Sequence, residues 1–247
     1  MSGHERTSST PGLDAVDALR TGDLDVLGAL PNSSNAALLV RCLGDGEPLI
    51  AVYKPMRGEA PLWDFPEGTL HRREVAAFVL AEALGWPRIP PTVLRDGPYG
   101  PGSVQLFVRF DPGEHFFTRE VERADIFRRV ALFDLAANNA DRKAGHCLLG
   151  DDGEVWMIDH GVCFAVEPKL RTVIWTFVDE PLPADAVDDL RRVHDGLVGG
   201  GQIASTLSAL LAPDEVAATA DRIDRLLADG RFPEPEPGVR PFPWPPI

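Results

Sequence analysis

The segment AANNADRKAGHCLLGDDGEVWMIDHG, residues 136–161, constrains the fold of this 247-residue chain more than any other. It places Asp141 in a polar loop directly after a helical pattern, and Asp159 at the end of a short hairpin. Phosphoryl transfer needs one carboxylate that positions or deprotonates the acceptor and another that holds Mg²⁺ against the phosphates. A loop and the far end of a hairpin can bring two such carboxylates together. The alternative is a pair of turn aspartates that cap local backbone, but the length and order of the pattern favour the first interpretation.

A second chemical signal lies in the segment AVYKP, where Lys54 ends an apolar strand pattern. A strand lysine that points into a cleft can hold the α- and β-phosphates of ATP, and an acid on a nearby helix can orient it. Glu74, in HRREVAAF, is the expected partner. Taken alone, the two residues also fit a solvated strand end and a solvated helix acid.

The remaining pattern predicts strands in the first part of the chain and helices in the second. Thr69 is the expected N-cap, and Gly85 the expected end, of a helix over 70–84. The turn Asp111-Pro112-Gly113 is the expected boundary between the two parts. We expect a disordered N-terminus over 1–12, and a proline-rich tail over 231–247 that is extended or wrapped on a surface. Strands are predicted at 24–30, 36–43, 49–54, 90–94, 104–110, 147–149 and 155–158, and helices at 14–20, 70–84, 124–137, 184–198 and 213–228.

Charge and cysteine content narrow the classes of function. The formal net charge of -14 disfavours binding to nucleic acid or to an anionic membrane. The three cysteines are scattered and fit a reducing compartment better than a disulfide framework. No secretory signal is evident, and the longest apolar segments are too short to span a bilayer. We therefore expect a soluble, cytoplasmic protein with no nucleic-acid partner and no stable membrane association.

The motifs resemble those of the phosphatidylinositol 3/4-kinases, especially the type II 4-kinases, and are similar to those of HipA-type bacterial kinases. The arrangement N-x-D-R-x-x-x-[N or H], hairpin, I-D-x-G covers 139–161, and YKP, RE and PPTV precede it in the same order. The resemblance covers 24–177 and also points to a poorly characterised actinobacterial branch related to these kinases. It implies an α+β, two-lobed kinase-like fold. The strand-rich N-terminal lobe, with one helix, is expected over 13–110 and the mainly helical C-terminal lobe over 111–230.

The resemblance also implies a role for each matching residue. Lys54 contacts the phosphates, Glu74 supports Lys54, Asp141 is the catalytic aspartate and Asp159 binds the metal. The implied cofactors are ATP and Mg²⁺ or Mn²⁺. A polar turn at 32–35 covers the phosphates in place of a glycine-rich loop, and a hinge at 105–108 faces the adenine. The further nucleotide contacts predicted in this turn and hinge are Ser33, Ser34, Asn35, Gln105 and Phe107.

One position departs from the pattern of the related kinases. Five residues after Asp141, where they usually carry a metal-binding asparagine, this chain has His146. Imidazole is a poorer Mg²⁺ ligand than an oxygen donor and suits softer metals better. With His146 as the predicted second metal ligand, the site uses one metal, prefers Mn²⁺ or has lost transfer activity. Asn138 or Asn139 is the candidate source of a substitute oxygen.

A zinc site is a further alternative at the same place. His146, Cys147, Asp159, His160 and Cys163 are suitable ligand types, but their spacing matches no familiar zinc pattern. Adjacent strand residues also point to opposite faces, so the five side chains do not converge. Cys147 and Cys163 are better interpreted as small buried apolar residues.

Three hypotheses of function follow. The first is an active kinase that phosphorylates an unknown hydroxyl, with a soluble protein or small molecule favoured over a lipid because the chain is acidic. The second is a nucleotide-binding pseudokinase that acts as a regulatory or interaction protein with a protein partner. The third is a structural protein in which the kinase-like motifs are coincidental. No G-x-S-x-G, Walker A or G-x-G-x-x-G motif supports another catalytic class.

Overall fold

The computed structural model describes residues 11–31, 35–44, 46–238 and 240–247. Most of the predicted disordered stretch at 1–12 lies outside these residues. Its last two positions begin helix α1, Pro11–Thr21, so the predicted start at residue 14 is too late. Proline suits the first helical turn, because the N–H groups of that turn have no partner within the helix.

A five-stranded antiparallel sheet forms the first part of the molecule. Its strand order is β1-β2-β3-β5-β4. The predicted strands 24–30, 36–43 and 49–54 match the first three strands apart from their ends. The strands are β1 Asp23–Ala29, β2 Leu38–Leu43, β3 Leu49–Pro55, β4 Thr92–Gly97 and β5 Gly100–Leu106.

Side-chain alternation along β3 decides which way Lys54 points. Ala51 and Tyr53 are fully buried on the face that α1 covers, where they pack with Leu19. Because successive strand residues point to opposite faces, Lys54 lies on the other face. Helix α2, Leu70–Leu84, contacts β4 and β5 and brings Glu74 to that face.

The hairpin of β4 and β5 differs from its prediction. Gly97 pairs with Gly100 across a two-residue turn, and Gly100 has a φ of 97°, which only glycine adopts freely. Gly102 lets β5 approach β3, because a Cβ there would lie 2.5 Å from the Lys54 carbonyl oxygen. The predicted strands 90–94 and 104–110 are therefore wrong at their ends, and residues 107–110 lie beyond β5.

Helix α2 has the predicted bounds, but its N-terminal cap is supplied from elsewhere. Gly85 ends the helix with a φ of 85°, as predicted. Thr69 precedes the helix, yet its hydroxyl donates to the Pro66 carbonyl instead of accepting from a helix N–H. The carboxylate of Glu59 accepts from the backbone N–H groups of Leu70 and His71 at 3.2 and 2.8 Å. A loop residue outside the local pattern thus replaces the predicted side-chain cap.

The second part of the molecule is mainly helical. Helices over 124–137 and 184–198 are confirmed at both ends, and the last predicted helix gains one residue. A continuous core joins these helices to one face of α2, and all three cysteines are free and buried. No helix among the described residues is long and apolar enough to cross a membrane. The elements are α3 Phe116–Arg119, α4 Ala124–Ala137, β6 Cys147–Leu149, β7 Val155–Met157, α5 Ala184–Val198, α6 Gln202–Ser208 and α7 Pro213–Asp229.

Candidate active site

The structure brings Lys54, Glu74 and Asp159 together. The Lys54 ammonium donates to Glu74 Oε1, and it donates to Asp159 Oδ1 at 3.0 Å. The other oxygen of Glu74 accepts from the backbone N–H of His160 at 2.9 Å. Glu74 therefore links β3 to the segment that carries Asp159, so that one helix residue positions two residues predicted to bind the nucleotide and metal.

The charges of this cluster stabilise one another. Burial alone would lower the pKa of Lys54, but the carboxylates of Asp159 and Glu74 outweigh it and raise that pKa above its ordinary value. The Lys54 ammonium in turn holds the pKa of Asp159 well below its ordinary value, against the opposing effect of burial. Lys54 is cationic and Asp159 anionic at neutral pH, as phosphate and metal binding require. The Asp159 side chain stays 48% exposed and so can be approached by a ligand.

Asp141 lies beside this cluster in the loop that follows α4. Its backbone N–H donates to Asn139 Oδ1 at 3.0 Å, and Lys143 Nζ lies 3.1 Å from Asp141 Oδ2. Burial raises the pKa of Asp141 above its ordinary value, Lys143 opposes this effect, and the negative charge of Asp159 adds to it. A raised carboxylate pKa suits a group that accepts a proton during a reaction.

The loop that holds Asp141 is fixed from beneath by Arg142. This side chain is fully buried, and its guanidinium donates to both oxygens of Asp134 on α4 at 3.0–3.1 Å. It also donates to the Ile158 carbonyl at 3.0 Å and contacts His160 Nε2 at 2.8 Å. Arg142 therefore ties the loop of Asp141 to the residues on either side of Asp159.

His146 also lies close to Asp159. Burial lowers its pKa to about 4, so the imidazole is neutral at pH 7. Nδ1 accepts from the Lys143 N–H at 3.4 Å, which assigns the proton to Nε2, and Nε2 lies 3.3 Å from Asp159 Oδ2. Metal ligation would need the other tautomer. The prediction that His146 binds metal stays a prediction.

The two neighbouring asparagines serve the architecture of the loop. Asn138 ends α4 with a φ of 51°, donates to the carbonyls of Ala165 and Glu167, and accepts from the N–H of Lys169. Asn139 donates to Asp134 and accepts from Asp141. Both oxygens proposed as substitute metal ligands are engaged in these bonds.

The zinc alternative finds no support in the arrangement of the side chains. Among the described residues, no group of three or more histidine, cysteine or acidic side chains converges to hold a metal. Cys147 and Cys163 are buried, as predicted. Burial raises the pKa of Cys147 to about 12 and that of Cys163 well above its ordinary value. Both thiols are therefore protonated at neutral pH.

Of the other residues predicted to contact the nucleotide, the structure describes three and leaves two outside the described residues. Ser33 and Ser34 lie outside the described residues, and Asn35 Oδ1 accepts from the Ala60 N–H at 2.7 Å. Gln105 lies within β5, buried, and donates to Thr92 Oγ1 at 2.8 Å. Phe107 follows β5, and its N–H donates to the Ile50 carbonyl. Val108 follows Phe107. Its backbone N–H and C=O form no hydrogen bond with any residue that the structure describes. The roles of these residues stay predictions.

The proline-rich tail docks against the loop of Asp141, which the sequence left open. The Pro241 carbonyl accepts from the Thr172 N–H at 3.0 Å and from Trp175 Nε1 at 3.1 Å. The Pro246 carbonyl accepts from the Ala144 N–H at 2.9 Å. Because proline cannot donate from its backbone, a proline-rich strand pairs through such carbonyls alone.

The small number of lysines is a sequence signal that the predictions above did not use. The chain has only three lysines, Lys54, Lys143 and Lys169, and all its other basic side chains apart from histidine are arginine. Each forms an ion pair around the candidate site, with Lys169 Nζ 3.1 Å from Asp64 in the loop between β3 and α2. This loop packs on Ala140, immediately before Asp141.

Comparison with other sequences identifies related proteins. No model of a known protein family matches the chain. Protein Rv2133c of Mycobacterium tuberculosis is 37% identical over 94% of this chain and 95% of its own length. Phosphatidylinositol 4-kinase gamma 4 of Oryza sativa subsp. japonica is 30% identical over 53% of this chain, and the match covers 30% of the rice protein. The chain thus spans less than a third of that plant kinase.

Comparison with solved structures shows the fold. Hydra Fam20, solved with sugar, has a TM-score of 0.53 at 16% identity, over 91% of this chain and 89% of that one. The Helicobacter pylori proinflammatory kinase CtkA has a TM-score of 0.51 at 11% identity, over 87% and 94%. The predicted α+β, two-lobed kinase-like fold is confirmed, and at these identities the likeness extends to the fold alone.

Proposed function

The chain belongs to the family of the Mycobacterium tuberculosis protein Rv2133c, and from this premise and its kinase-like fold we propose that it is an ATP-dependent phosphotransferase of the phosphoinositide-kinase-like type. The observation that carries the proposal is the position of Lys54, held between Glu74 and Asp159. In kinases, the strand lysine must meet its helix acid while the metal-binding aspartate is in place. A fold alone does not fix function, so the proposed activity depends on this contact.

ATP fits the residues that line this side of the site. Lys54 supplies a permanent cation for the α- and β-phosphates, and Glu74 fixes its direction. The unpartnered backbone groups of Val108, just beyond β5, suit the donor and acceptor edge of an adenine. Asp159, anionic and half exposed, would hold the divalent metal, which neutralises charge on the transferred phosphoryl group when bound.

Asp141 is the residue placed to receive the acceptor hydroxyl. Its carboxylate has a raised pKa, and Lys143 holds it through an ion pair at 3.1 Å. The hydroxyl would give its proton to Asp141 as its oxygen bonds to the γ-phosphorus of ATP, while the bond from that phosphorus to the bridging oxygen breaks and ADP leaves. Asn139 and Arg142 keep the loop in place during this step. We propose a soluble protein or small molecule as the acceptor, because the net charge of -14 opposes an anionic lipid surface.

A second candidate function is that of a nucleotide-binding pseudokinase, and His146 favours it. His146 Nε2 lies 3.3 Å from Asp159 Oδ2, and the neutral imidazole stands where the related kinases have an asparagine that would help to hold a metal. A protein that binds ATP at Lys54 but transfers no phosphate would act through its shape or its partners.

Calorimetric titration with ATP tests the proposal. We expect binding with Mg²⁺ or Mn²⁺ and its loss with chelator or in Lys54→Ala. Lys169→Ala is the matched control, because it removes the same charge from an ion pair with Asp64, which shares no residue with the cluster of Lys54, Glu74 and Asp159, and it should bind ATP normally. No binding under any condition, or normal binding by Lys54→Ala, would refute the nucleotide site.

The Asp141→Asn variant separates the two candidates. It should bind ATP like the wild type and lower ATP turnover by roughly 10²- to 10⁴-fold, the usual range for loss of a general base. Turnover is measured as release or transfer of labelled phosphate. A wild type that binds ATP but turns none over would favour the pseudokinase.

A further inference from the structure

Helix α2 carries Glu74 but packs into the core of the helical part of the molecule. Leu80, Ala81 and Leu84 are buried in the same apolar cluster as residues of α4, α5 and α7. Its polar end is fixed as well, since Glu59 caps the first turn. The helix that orients Lys54 is therefore held by both parts of the molecule, and it is not a free appendage of the sheet.

Arg73, next to Glu74, makes the strongest of these attachments. Its side chain is 1% exposed, and one terminal nitrogen donates to Glu215 Oε1 of α7 at 2.6 Å. The other terminal nitrogen donates to the Cys163 carbonyl at 2.7 Å, and Nε donates to Thr69 Oγ1 at 3.2 Å. One arginine thus joins α2 to α7 and to the segment that follows Asp159.

The C-terminal end of α2 is attached to a second helix. Arg192 of α5 donates to the carbonyls of Ala83 and Leu84 at 2.6 and 3.4 Å. Trp86 Nε1 donates to Asp189 Oδ2 of the same helix at 2.9 Å. With Arg73 at the other end, α2 is attached to the helical part of the molecule at both ends.

The segment directly after Asp159 offers no hydroxyl group for phosphorylation. Residues 160–171 contain no serine, threonine or tyrosine. The next hydroxyl, that of Thr172, is 1% exposed and lies 3.3 Å from Asp134 Oδ2. In protein kinases, phosphorylation of this segment and movement of the helix control the lysine–glutamate pair. Here α2 is held by buried contacts, and residues 160–171 carry no such hydroxyl.

We propose that Arg73 is a positioning residue that holds α2, through Glu215 and the Cys163 carbonyl, so that Glu74 meets Lys54 in the unmodified chain without a partner. The contacts stand on their own, whereas their consequence for catalysis rests on the proposed function. Glu215 is the second half of this device, and its other oxygen accepts from the Ala212 N–H at 3.0 Å. Control of such an enzyme would act at a place other than α2.

The reactivity of Lys54 toward an amine-reactive ester, followed by mass spectrometry without nucleotide, tests the proposal. Lys143 and Lys169 serve as internal references in every sample, since the chain has no other lysine. Release of α2 should raise the rate of Lys54 acylation about tenfold in Arg73→Met and severalfold in Glu215→Gln, because the exposed state gains population. Arg73→Lys, which keeps one charged contact, should recover part of the protection.

Arg222→Met is the matched control for general loosening. Arg222 of α7 is half-buried and donates to the carbonyls of Ala136 and Ala165 at 2.8 and 3.1 Å, so it also holds the segment after Asp159, but no hydrogen bond joins it to α2 among the described residues. The proposal is overturned if Lys54 stays protected in a folded Glu215→Gln, or if Arg222→Met raises its acylation equally. Glu215→Gln decides the matter if Arg73→Met does not fold. Failure of the wild type to bind ATP would remove the proposed function and leave this test of the contacts intact.

Discussion

Two buried arginines, one on each side of the site, each hold a segment that carries a site residue, but they bind partners at very different distances along the chain. Arg142 binds Asp134, which lies 8 residues before it, together with the Ile158 carbonyl. Arg73 binds Glu215, 142 residues away, together with the Cys163 carbonyl. The first holds the loop of the predicted catalytic aspartate, and the second holds the helix of the acid that orients the strand lysine.

The difference lies in how much of the chain each contact needs. Closing a short loop costs little conformational entropy, and that cost rises slowly with loop length. The contact between Arg142 and Asp134 needs only α4 and the loop that follows it. The Arg73 contact needs α7, so it forms only when almost the whole chain has folded. Half of the site is thus fixed locally and half by the global fold.

Loss of Arg142 should have the largest effect. Arg142→Met leaves Asp134 buried without its cation, and breaking a buried pair in this way costs about 3–5 kcal/mol. Arg73→Met should cost less, because the Glu215 side chain is 10% exposed and water can replace part of the contact. Urea titration of the two variants measures the free energies of unfolding.

This ordering has a clear contrary result. Equal losses in the two variants would show that sequence separation and exposure do not distinguish the two contacts. A larger loss of unfolding free energy in Arg73→Met would show that the fold depends more on the attachment of α2. It would also show that water does not replace the contact of Arg73 with Glu215.

Acid should lower the free energy of unfolding through two buried histidines, His160 beside Arg142 and His146 beside Asp159. Burial and the nearby guanidinium lower the pKa of His160 well below 6.5, and burial lowers the pKa of His146 to about 4. Below about pH 6.5 these two histidines bind protons in the unfolded chain but stay neutral in the folded chain. The free energy of unfolding therefore falls as the pH falls from about 6.5 toward 4. Each histidine contributes a slope of about 1.4 kcal/mol per pH unit. The free energy of unfolding, measured by urea titration from pH 7 to 5, gives this slope.

Non-titrating variants separate the two contributions. His160→Gln offers an acceptor to Arg142, and His146→Asn introduces the residue that the related kinases have. Each variant should lower the slope by about 1.4 kcal/mol per pH unit, the contribution of one proton. The contacts of Arg73 contain no histidine. An unchanged slope in both variants would place the acid sensitivity elsewhere.

Sequence patterns predicted the elements and residues that lie together in the local half of the site, and the roles of these residues stay predictions. The helix over 70–84 ends at Gly85 because only glycine takes the left-handed conformation cheaply, and the helix over 124–137 follows from its apolar stripe. Lys54 and Glu74 came from a strand and a helix adjacent in sequence. The polar loop of Asp141 came from a single continuous segment.

The global half was beyond those patterns. Arg73 and Glu215 are separated by most of the chain, and each is an ordinary charged residue in its own helix. The docking of Pro241 and Pro246 uses carbonyl groups, which every residue carries. Contacts of this kind arise from tertiary packing and leave no local periodicity.

The smallest effect is expected at the cap of α2, and it separates the two ways of holding this helix. Burial raises the pKa of Glu59, but hydrogen bonds from His71 lower it below the ordinary value, so the cap is ionised at neutral pH. Glu59→Gln should cost about 1 kcal/mol of unfolding free energy, the usual value of a cap. Thr69→Ala, the control at the predicted cap, should cost less, because this hydroxyl accepts from no backbone N–H of the helix and its bond from Arg73 Nε, at 3.2 Å, is the longest of the three Arg73 bonds.

The acylation rate of Lys54 shows whether the cap at Glu59 or the contacts of Arg73 position α2. Glu59 stabilises the start of α2 but contacts neither α7 nor the segment after Asp159, so Glu59→Gln should leave Lys54 as protected as in the wild type. Equal exposure of Lys54 in Glu59→Gln and Arg73→Met would mean that α2 is placed by its own first turn. Exposure in Arg73→Met alone would mean that the distant contact with Glu215 places it, and that the site is complete only when the whole chain has folded.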